Sequence, residues 1–396
     1  MEWYEEVKAK RESYGISQNR LATALGVSRE YLNRLENGKY QVQSIEKKNY
    51  IIEVLERFDP NAPLNLMFDY LRIRFPTTNA RAIIENLLQM RFDQMLHEDY
   101  AYYKYAEHYA YGDIMVMVSP DEEKGVLLEL KGKGCRQFEN VLVAQCRSWY
   151  EFLTDCLCAE GIIKRLDLAV NDMKGILDIG ELIKKSETEE CISLFRTFNS
   201  YSSGEFTRET DEDKLGMGRT LYLGSFKSEI YFCIYEKDYE QYIKNGVPIE
   251  EAPIKNRFEI RLMNDRAENA LKDLLTYQNE EKTVFEIINR YVTFVDRNPK
   301  QPKKSRWNIN PLWEYFIGKD RAKLKLTTQP EPYTYDRTIN WLGTQVAPTL
   351  KLSMKIDEKN GTNTVNRIIE NAKLSEKHMR IFKQQTTPIE EVIIPR

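Results

Sequence analysis

The stretch SQNRLATALGVSREYLNRLENGKY, residues 17–40, decides the fold of the amino-terminal part of the chain. Leu21 and Leu25 recur at the spacing of one helical face, which predicts a short amphipathic helix. Gly26 ends this helix, because a tight turn favours a residue that tolerates a positive φ angle. Ser28 is then a suitable N-cap for a second helix. Two short helices joined by a tight turn are typical of a helix-turn-helix domain.

The second helix of this pair begins with polar residues that suit the major groove of DNA. A small helical bundle that binds another protein has a similar pattern and is the alternative. From Val7 to Phe58 the sequence resembles the Cro/C1-type helix-turn-helix family, which favours DNA binding and predicts a domain over residues 1–60. Residues that can reach base edges are Ser28, Arg29, Asn33 and Arg34, and residues that can reach phosphates are Gln18 and Arg20.

Composition places the chain among ordinary globular proteins. Hydrophobic residues make up 42% of the 396 residues and charged residues 30%, enough for at least one sizeable core. No apolar run approaches the ~18 residues of a membrane span, and the start MEWYEEVKAK lacks the apolar stretch of a signal peptide. We therefore expect a cytoplasmic protein without a membrane partner. The net charge of −3 gives no information about a nucleic-acid partner, so evidence for one has to come from local clusters of charge.

Residues 66–266 change to short alternating runs separated by helical stretches. Such runs, bounded by turn residues, are typical of β-strands. The predicted strands lie in FDYLRIRFP, GDIMVMVS, GVLLELKGKG, IIKRLDLAVND, RTLYLGSFKS, EIYFCIYEK and NRFEIRLMND. Antiparallel strands with interspersed helices indicate an α+β domain with a mixed, largely antiparallel sheet.

The carboxy-terminal part, residues 267–396, is predicted to be a helical extension, because apolar residues recur there at helical spacing. It contains the basic linker DRNPKQPKKSRWN and ends in the stretch TTPIEEVIIPR, which we expect to be loose. The predicted fold class is therefore multidomain, with an all-α head, an α+β domain and a helical extension.

Several predicted strands carry acidic residues. Alternate residues of a strand point to the same side, so Asp167 and Glu259 each lie on a polar face beside arginines. Asp69 opens a further strand whose alternate residues are otherwise apolar, and it fits the pattern less well. One interpretation is a solvated sheet surface with cross-strand ion pairs. The other is a Mg²⁺ or Mn²⁺ site, because hard cations take carboxylate oxygens; the candidate ligands are Asp69, Asp167, Glu259 and Glu129.

The stretch SEIYFCIYEKDYEQY, residues 228–242, ends a strand with several tyrosines. A tyrosine becomes a nucleophile when a metal or cation has neutralised the phosphate that it attacks. The alternative is a packing role, which is usual for a tyrosine at a strand end. The candidate nucleophiles are Tyr235 and Tyr239. Candidate phosphate contacts nearby are Ser225, Lys227, Lys237 and Arg257.

Six motifs follow one another between Phe68 and the strand that contains Glu259: FDYLRIRFP, GKGCRQFE, KRLDLAVND, GRTLYLGSFKS, IYEKD and NRFEIRL. In this order they resemble the Rep_trans family of rolling-circle plasmid replication initiators, related phage proteins and MobT-type relaxases of integrative conjugative elements. With the Cro/C1-type head, the chain resembles the relaxases of conjugative transposons.

The resemblance implies metal-dependent cleavage of one DNA strand at an origin of transfer, in which a tyrosine leaves a 5′-phosphotyrosine and a free 3′-hydroxyl. It places the tyrosine of the family's YEK motif at Tyr235, with Tyr239 as the alternative, and the acidic positions at Asp69, Asp167 and Glu259. Many rolling-circle nickases hold their metal with a His-hydrophobe-His pair, which this chain lacks. Mg²⁺ or Mn²⁺ is therefore expected to be held mainly by carboxylates.

The implied partners are duplex DNA and locally single-stranded DNA at an origin of transfer, together with a coupling protein or a host helicase. Two alternatives stay open from the sequence. One is a Cro/C1-type transcriptional regulator with a non-catalytic carboxy-terminal domain, and the other is a plasmid replication initiator with the same chemistry. Tyr235 and the acidic residues distinguish the regulator, which has no need to keep them together.

Overall fold

The amino-terminal helices form a domain with its own core in the computed structural model, which describes residues 2–25, 27–56, 62–204, 216–318, 324 and 326–395. They are α1 (Trp3–Ser13), α2 (Gln18–Leu25), α3 (Arg29–Glu36) and α4 (Ile45–Glu56). Buried side chains of this core include Val7, Leu21, Leu32, Leu35 and Val54. The predicted helix-turn-helix head is confirmed. The end of its predicted range, residues 57–60, lies outside the described residues.

A buried ion pair joins α1 to α3 inside this head. Arg11 donates from Nε to Glu36 Oε1 at 2.6 Å and from Nη2 to Glu36 Oε2 at 2.9 Å, and both residues are buried. The remaining guanidinium nitrogen of Arg11 donates to the carbonyl of Ile16 at 2.9 Å. Gln18 of α2 donates to the same Glu36 carboxylate at 2.7 Å. Three helices are thus joined through one carboxylate.

The strands and the remaining helices follow in chain order. The strands are β1 (Leu64–Phe75), β2 (Leu96–Glu98), β3 (Glu107–Tyr111), β4 (Ile114–Val118), β5 (Val126–Lys131), β6 (Ile162–Asp172), β7 (Cys191–Ser193), β8 (Phe198–Gly204), β9 (Gly216–Leu223), β10 (Ile230–Glu236), β11 (Asn256–Met263), β12 (Val292–Asp296) and β13 (Asn308–Ile309). The helices are α5 (Ala80–Ala82), α6 (Lys133–Ala144), α7 (Trp149–Cys158), α8 (Ile179–Glu187), α9 (Lys237–Asn245), α10 (Asp265–Tyr277), α11 (Glu280–Tyr291), α12 (Pro311–Phe316), α13 (Asp336–Trp341), α14 (Ala347–Asn360), α15 (Thr364–Glu370), α16 (Glu376–Thr386) and α17 (Ile389–Val392).

The larger sheet has ten strands in the order β2-β3-β4-β5-β1-β6-β11-β10-β9-β8. Within the described residues, every neighbouring pair of these strands is antiparallel. The expectation of a largely antiparallel sheet is confirmed. The parallel pairing that involves these strands is an isolated bridge between Leu66 and Leu326, within the described residues. A smaller sheet has the order β13-β12-β7. None of the described helices is long and apolar enough to cross a membrane.

The two faces of the large sheet differ in character. One face packs against helices and forms the main core, which includes Leu168, Phe232 and Phe258 from the central strands. The opposite face, which we call the polar face, carries charged and polar side chains from five adjacent strands. Its central members are Asp69, Asp167, Asn171, Tyr235, Arg257 and Glu259. The alternation predicted for β6 and β11 produces this division in those two strands, and β10 follows the same alternation.

The carboxy-terminal part packs onto the same core as the sheet. Leu271, Phe285 and Trp313 are buried members of the main core, so α10, α11 and α12 cover one face of the sheet. The predicted helical extension also supplies two strands, β12 and β13. The expectation of a loose tail is wrong, because Val392 is fully buried and its carbonyl accepts a hydrogen bond from the backbone N–H of Arg91 at 2.8 Å.

Candidate active site

A β-bulge places Asp69 on the polar face. In the pairing of β1 with β6, Phe68 lies opposite Leu168 and Tyr70 lies opposite Asp167, so Asp69 is the extra residue. The insertion shifts the alternation of β1, whose core residues have even numbers before the bulge and odd numbers after it. Asp69 therefore shares a face with the other polar residues, although the alternate residues that follow it, Leu71 and Ile73, are apolar and lie in the core.

The register of three adjacent strands brings Tyr235 to this face. Tyr235 on β10 pairs with Arg257 on β11, and Arg257 pairs with Asn171 on β6. Glu259 lies two residues farther along β11, so its side chain points to the same side of the sheet. Side chains that are far apart in sequence become neighbours because their strands are adjacent.

The hydroxyl of Tyr235 lies between an acceptor and a cation. It donates a hydrogen bond to Glu259 Oε1 at 2.8 Å, and its own oxygen accepts a hydrogen bond from the ammonium of Lys237 at 3.4 Å. Tyr235 is half-buried and lines a cleft of about 350 Å³ together with Arg219, Lys244 and other residues. The hydroxyl is thus held by the protein beside a space that a phosphate group can enter.

Arg257 occupies the centre of the cluster. Its Nη1 donates to Asp69 Oδ1 at 2.9 Å and its Nε donates to Asn171 Oδ1 at 2.7 Å. The amide nitrogen of Asn171 donates in turn to Asn65 Oδ1 at 2.8 Å. Arg257 and Asn171 are both buried, so these contacts fix the position of the guanidinium on the polar face of the sheet.

The other two carboxylates are also paired with arginines. Arg261 donates to Glu259 Oε2 from two nitrogens, at 2.9 and 2.6 Å. Arg165 donates to both oxygens of Asp167, at 2.9 and 2.6 Å. Glu259 and Asp167 are buried, at 3% and 2% exposure, so they are not part of a solvated surface of ion pairs. Burying several charges on one sheet face is costly unless the charges are paired, which these contacts achieve.

The buried environment shifts several proton affinities. Burial raises the pKa of Tyr235 well above its usual value, and the nearby Glu259 carboxylate acts in the same direction. Burial also raises the pKa of Asp167 to about 6, although Arg165 acts against this shift. Burial and the neighbouring Arg257 lower the pKa of Lys237. In this state Tyr235 is a neutral phenol that needs a proton acceptor before it can attack.

Each of the three predicted carboxylate ligands, Asp69, Asp167 and Glu259, is paired with an arginine. Within the described residues, ligand atoms of three His, Cys, Asp or Glu side chains lie within 4.8 Å of one another only at His97, Asp99 and Glu107. His97 and Asp99 are exposed and Glu107 is half-buried, and the group lies at the β2 edge of the sheet, seven strands from β10. The donor set of the polar face still suits Mg²⁺ or Mn²⁺, since it offers carboxylate and amide oxygens. Binding there requires an arginine to release its carboxylate.

Tyr239 has a different environment from Tyr235. Helix α9 begins at Lys237, so the chain leaves the sheet between the two tyrosines. The Cβ of Tyr239 lies 2.9 Å from the position that a Cβ at Gly218 of β9 would occupy. Tyr239 is therefore packed against β9. The structure brings Tyr235 to the carboxylates of the polar face, and it places Tyr239 beside the neighbouring strand.

Ser225 and Lys227 lie at the opposite end of the β9–β10 hairpin from Tyr235. Lys227 precedes Tyr235 by eight residues, which corresponds to roughly 26 Å of extended chain. Both residues are exposed, and Ser225 Oγ accepts a hydrogen bond from the backbone N–H of Lys227 at 3.3 Å. The structure therefore does not bring this turn to the Tyr235 hydroxyl.

The predicted DNA-contacting residues of the head are mostly exposed. Ser28, Arg29, Asn33 and Arg34 are exposed on or next to α3. Ser28 also accepts a hydrogen bond from the backbone N–H of Tyr31, which caps α3. Gln18 is half-buried and bonded to Glu36, so its role includes holding the helices together. The side chain of Arg20 lies outside the described part of the structure.

A third buried carboxylate, that of Glu129, lies on the polar face two strands from Asp167. Glu129 of β5 is 1% exposed and accepts hydrogen bonds from Tyr70, from Arg72 at 2.8 Å and from Tyr103 at 2.9 Å. Lys131 also pairs with it at 2.8 Å. The carboxylate is thus surrounded by donors and is not near Tyr235.

Some residues of the site were missed by the sequence patterns. Asn65 supports Asn171 and Arg257, and a lone asparagine at the start of a strand gives no signal of that role. Glu240 forms an ion pair with Lys237 on α9. Lys237 and Lys244 lower the pKa of Glu240 to about 2, although burial acts in the other direction. The spacing of three residues from Lys237 is a helical signal, but a helix starting at residue 237 was not predicted.

Three family models match successive parts of the chain. The family model described as Replication initiation factor matches residues 161–369, which include β6, β10 and β11. The model described as Rolling Circle replication initiation protein N-terminal domain matches residues 65–155. The Helix-turn-helix model matches residues 7–46.

Individual relatives are similar over most of their length. The chain is 36% identical to the candidate DNA relaxase NicK of Bacillus subtilis (strain 168) over 351 residues, which cover 88% of this chain and 96% of that protein. It is also similar to the structure of a rolling circle replication initiator protein from Geobacillus stearothermophilus, with a TM-score of 0.57 and 25% identity. That match covers 67% of this chain and 99% of the other. The chain therefore belongs to the replication initiation factor family of rolling-circle initiators and DNA relaxases, with a helix-turn-helix domain at its amino terminus.

Proposed function

We propose that this protein is a DNA relaxase that cleaves one strand at an origin of transfer and becomes joined to the 5′ end through Tyr235. The proposal is carried by the hydrogen bond from the Tyr235 hydroxyl to Glu259, beside a cleft lined by Arg219, Lys244 and Arg261. A nucleophile, a proton acceptor and cations for a phosphate are thus together in one place. A plasmid replication initiator would use the same chemistry, and the assays below apply to both.

The reaction is a transesterification in which Tyr235 Oη replaces the 3′ oxygen on phosphorus. Glu259 takes the hydroxyl proton through the existing 2.8 Å hydrogen bond as the new O–P bond forms. Lys237, at 3.4 Å, stabilises the negative charge that develops on Oη. The bond between phosphorus and the 3′ oxygen breaks, and that oxygen takes a proton from solvent and leaves as a hydroxyl. No water is consumed.

A divalent cation fits the donor set of the polar face. Asp69, Asp167 and Glu259 would hold Mg²⁺ or Mn²⁺, and the bound cation would offset charge on the phosphate under attack. In the described structure Arg257 forms an ion pair with Asp69. We propose that Arg257 moves to a phosphate oxygen when the cation and the DNA strand bind.

The helix-turn-helix head would hold the nicking site near its target. The exposed residues of α3 would dock in the major groove of the duplex, and the sheet would act on a locally unpaired strand. Tethering the two domains raises the effective concentration of the nicking site at the origin. A coupling protein or a helicase would then continue the transfer of the cut strand, in the cytoplasm where the DNA lies.

The proposed activity can be tested with a supercoiled plasmid that carries the origin of transfer of the protein's own element. The plasmid is incubated with protein and Mn²⁺ or Mg²⁺, and the products are separated on a denaturing gel with and without protease. A nicked strand whose 5′ end carries protein supports the proposal. Tight duplex binding without any metal-dependent nick would instead favour a regulator.

Glu259→Gln is expected to slow the nicking step by about 10²–10⁴-fold, the range for loss of a general base. Glutamine still accepts the hydrogen bond from Tyr235, but it cannot take the proton. The measurement is the single-turnover nicking rate on the origin plasmid. Glu250→Gln, at an exposed position, is the matched control and should keep the wild-type rate. Equal rates for Glu259→Gln and wild type would exclude Glu259 as the proton acceptor.

Asp69→Asn is expected to weaken Mn²⁺ binding at least about tenfold, because it removes a charged oxygen ligand. Binding is measured by calorimetric titration of the full-length protein with Mn²⁺, without DNA. Asp273→Asn, at an exposed position on α10, is the control. A loss of Mn²⁺ binding in His97→Ala, with no change in Asp69→Asn, would place the cation at the edge cluster and contradict the proposal.

A further inference from the structure

Four aromatic rings form a connected series next to the Tyr235 cleft. The ring centres of Tyr201 and Tyr222 are 5.7 Å apart, those of Tyr222 and Phe226 are 4.8 Å apart, and those of Phe226 and Tyr231 are 5.5 Å apart. The three contacts are edge-to-face, with interplanar angles of 85°, 83° and 81°. Such contacts are favourable and fix the orientation of each ring.

The series lies on the same face of the sheet as the proposed nucleophile. Tyr231 and Tyr235 are four residues apart on β10, so their side chains share a face and are roughly 13 Å apart along the strand. Tyr222 of β9 lines the same cleft as Tyr235. The rings therefore extend from the cleft toward the β8 edge of the sheet.

Two of these rings are exposed in a way that core packing does not require. Tyr201 is 52% exposed and Phe226 is 49% exposed. Phe226 lies in the β9–β10 turn, which is held by a hydrogen bond from the backbone N–H of Ser228 to the carbonyl of Ser225 at 2.9 Å. Gly224 begins this turn at a φ of +100°, where a Cβ would approach Phe195 at 2.8 Å, so a tight backbone fixes the position of Phe226.

Cations lie beside these rings. Arg261 is 5.6 Å from the centre of the Tyr231 ring, and Arg219 and Lys244 line the cleft with Tyr222. Two acidic residues also line this cleft, but Glu240 is paired with Lys237 and Lys244, and Glu236 accepts the backbone N–H of Arg219. Exposed aromatic rings next to cations are the features with which proteins bind unpaired bases and the phosphates between them.

We propose that Tyr201, Tyr222 and Phe226 form a stacking platform for unpaired bases of the DNA strand where it leaves the cleft that holds the phosphate attacked by Tyr235. The proposal rests on the proposed function for the identity of the strand, and it adds where the bases of that strand bind. Stacking on aromatic faces does not depend on base identity, so the platform holds the strand without specifying its sequence.

Binding of a short fluorescein-labelled oligothymidylate, followed by fluorescence anisotropy, tests the platform. The protein carries Tyr235→Phe throughout, so that cleavage does not interfere. Adding Phe226→Ala is expected to raise the Kd at least about fivefold, the lower end of the range for loss of one base–aromatic stack. Phe226→Trp should keep the affinity, because the larger ring still stacks. Tyr201→Ala should weaken binding in the same way.

The chain offers a close control for this experiment. Phe198 is 39% exposed on the same edge strand, β8, but it pairs with Leu223, whose side chain is in the core, so it points to the other face. Phe198→Ala should therefore leave the Kd unchanged. Equal Kd values for Phe226→Ala and Phe198→Ala would overturn the proposal.

An abasic oligonucleotide separates stacking from phosphate binding. The effect of Phe226→Ala should disappear with this probe, and an equal loss of affinity with and without bases would also overturn the proposal. These outcomes are independent of cleavage. If wild-type protein fails to nick the origin plasmid while Phe226→Ala still weakens binding, the proposed function fails and the platform stands.

Discussion

Replacing Tyr235 with phenylalanine is expected to abolish strand cleavage, with a fall in the nicking rate of at least roughly 10⁴-fold. Phenylalanine keeps the ring that fills the end of β10, but it removes the oxygen that would bond to phosphorus. The rate is measured on the origin plasmid under single-turnover conditions. Duplex binding by the head should stay at the wild-type level, because the exposed residues of α3 are unchanged.

Tyr239→Phe is the matched control for this prediction. Tyr239 packs against β9 and should tolerate loss of its hydroxyl, so the variant is expected to nick at nearly the wild-type rate. The reverse pattern, with activity kept in Tyr235→Phe and lost in Tyr239→Phe, would move the nucleophile to α9. The relaxase activity would then stand, but the proposed role of Glu259 would not.

Glu36→Ala is expected to destabilise the helix-turn-helix head by about 3–5 kcal/mol, because it leaves Arg11 buried without its partner. A loss of this size is enough to unfold a small domain. Hydrogen exchange measured by mass spectrometry should show lost protection in residues 2–56 and unchanged protection in the sheet. The affinity of Glu36→Ala for duplex DNA should fall because the head is unfolded, whereas nicking of a single-stranded origin oligonucleotide should persist.

Glu30→Ala provides the control on the same helix. Glu30 is exposed at the start of α3, so its removal should change the stability of the head by no more than about 0.5 kcal/mol. If Glu36→Ala leaves the exchange of residues 2–56 unchanged, the buried pair is not what joins α1 to α3. If single-stranded nicking is lost as well, the head and the sheet do not act as separate units.

The parts of the fold that follow local patterns could be predicted from the sequence. The helix-turn-helix head depends on helical spacing and on cap residues such as Ser28, and these are visible within one stretch. The polar face of β6 and β11 follows from simple alternation, which correctly placed Asp167 and Glu259 on one side of the sheet.

Features that depend on pairing between distant segments could not be predicted. The bulge at Asp69 exists only in the pairing of β1 with β6, so the alternation of β1 alone gave the wrong phase. The tail is anchored by a bond between Val392 and Arg91, about 300 residues apart in sequence. The different surroundings of Tyr235 and Tyr239 depend on where α9 begins, and the boundaries of elements are weakly encoded in local sequence.

The proposed nucleophile is tested most directly by identifying the residue that becomes covalently bound to the DNA. Wild-type protein is incubated with Mn²⁺ and a single-stranded oligonucleotide spanning the nick site, the adduct is digested with nuclease and trypsin, and the peptides are sequenced by mass spectrometry. We predict a nucleotide joined through its 5′ phosphate to Tyr235 and none on Tyr239. An adduct on any other residue, or cleavage that leaves no covalent adduct, would contradict it.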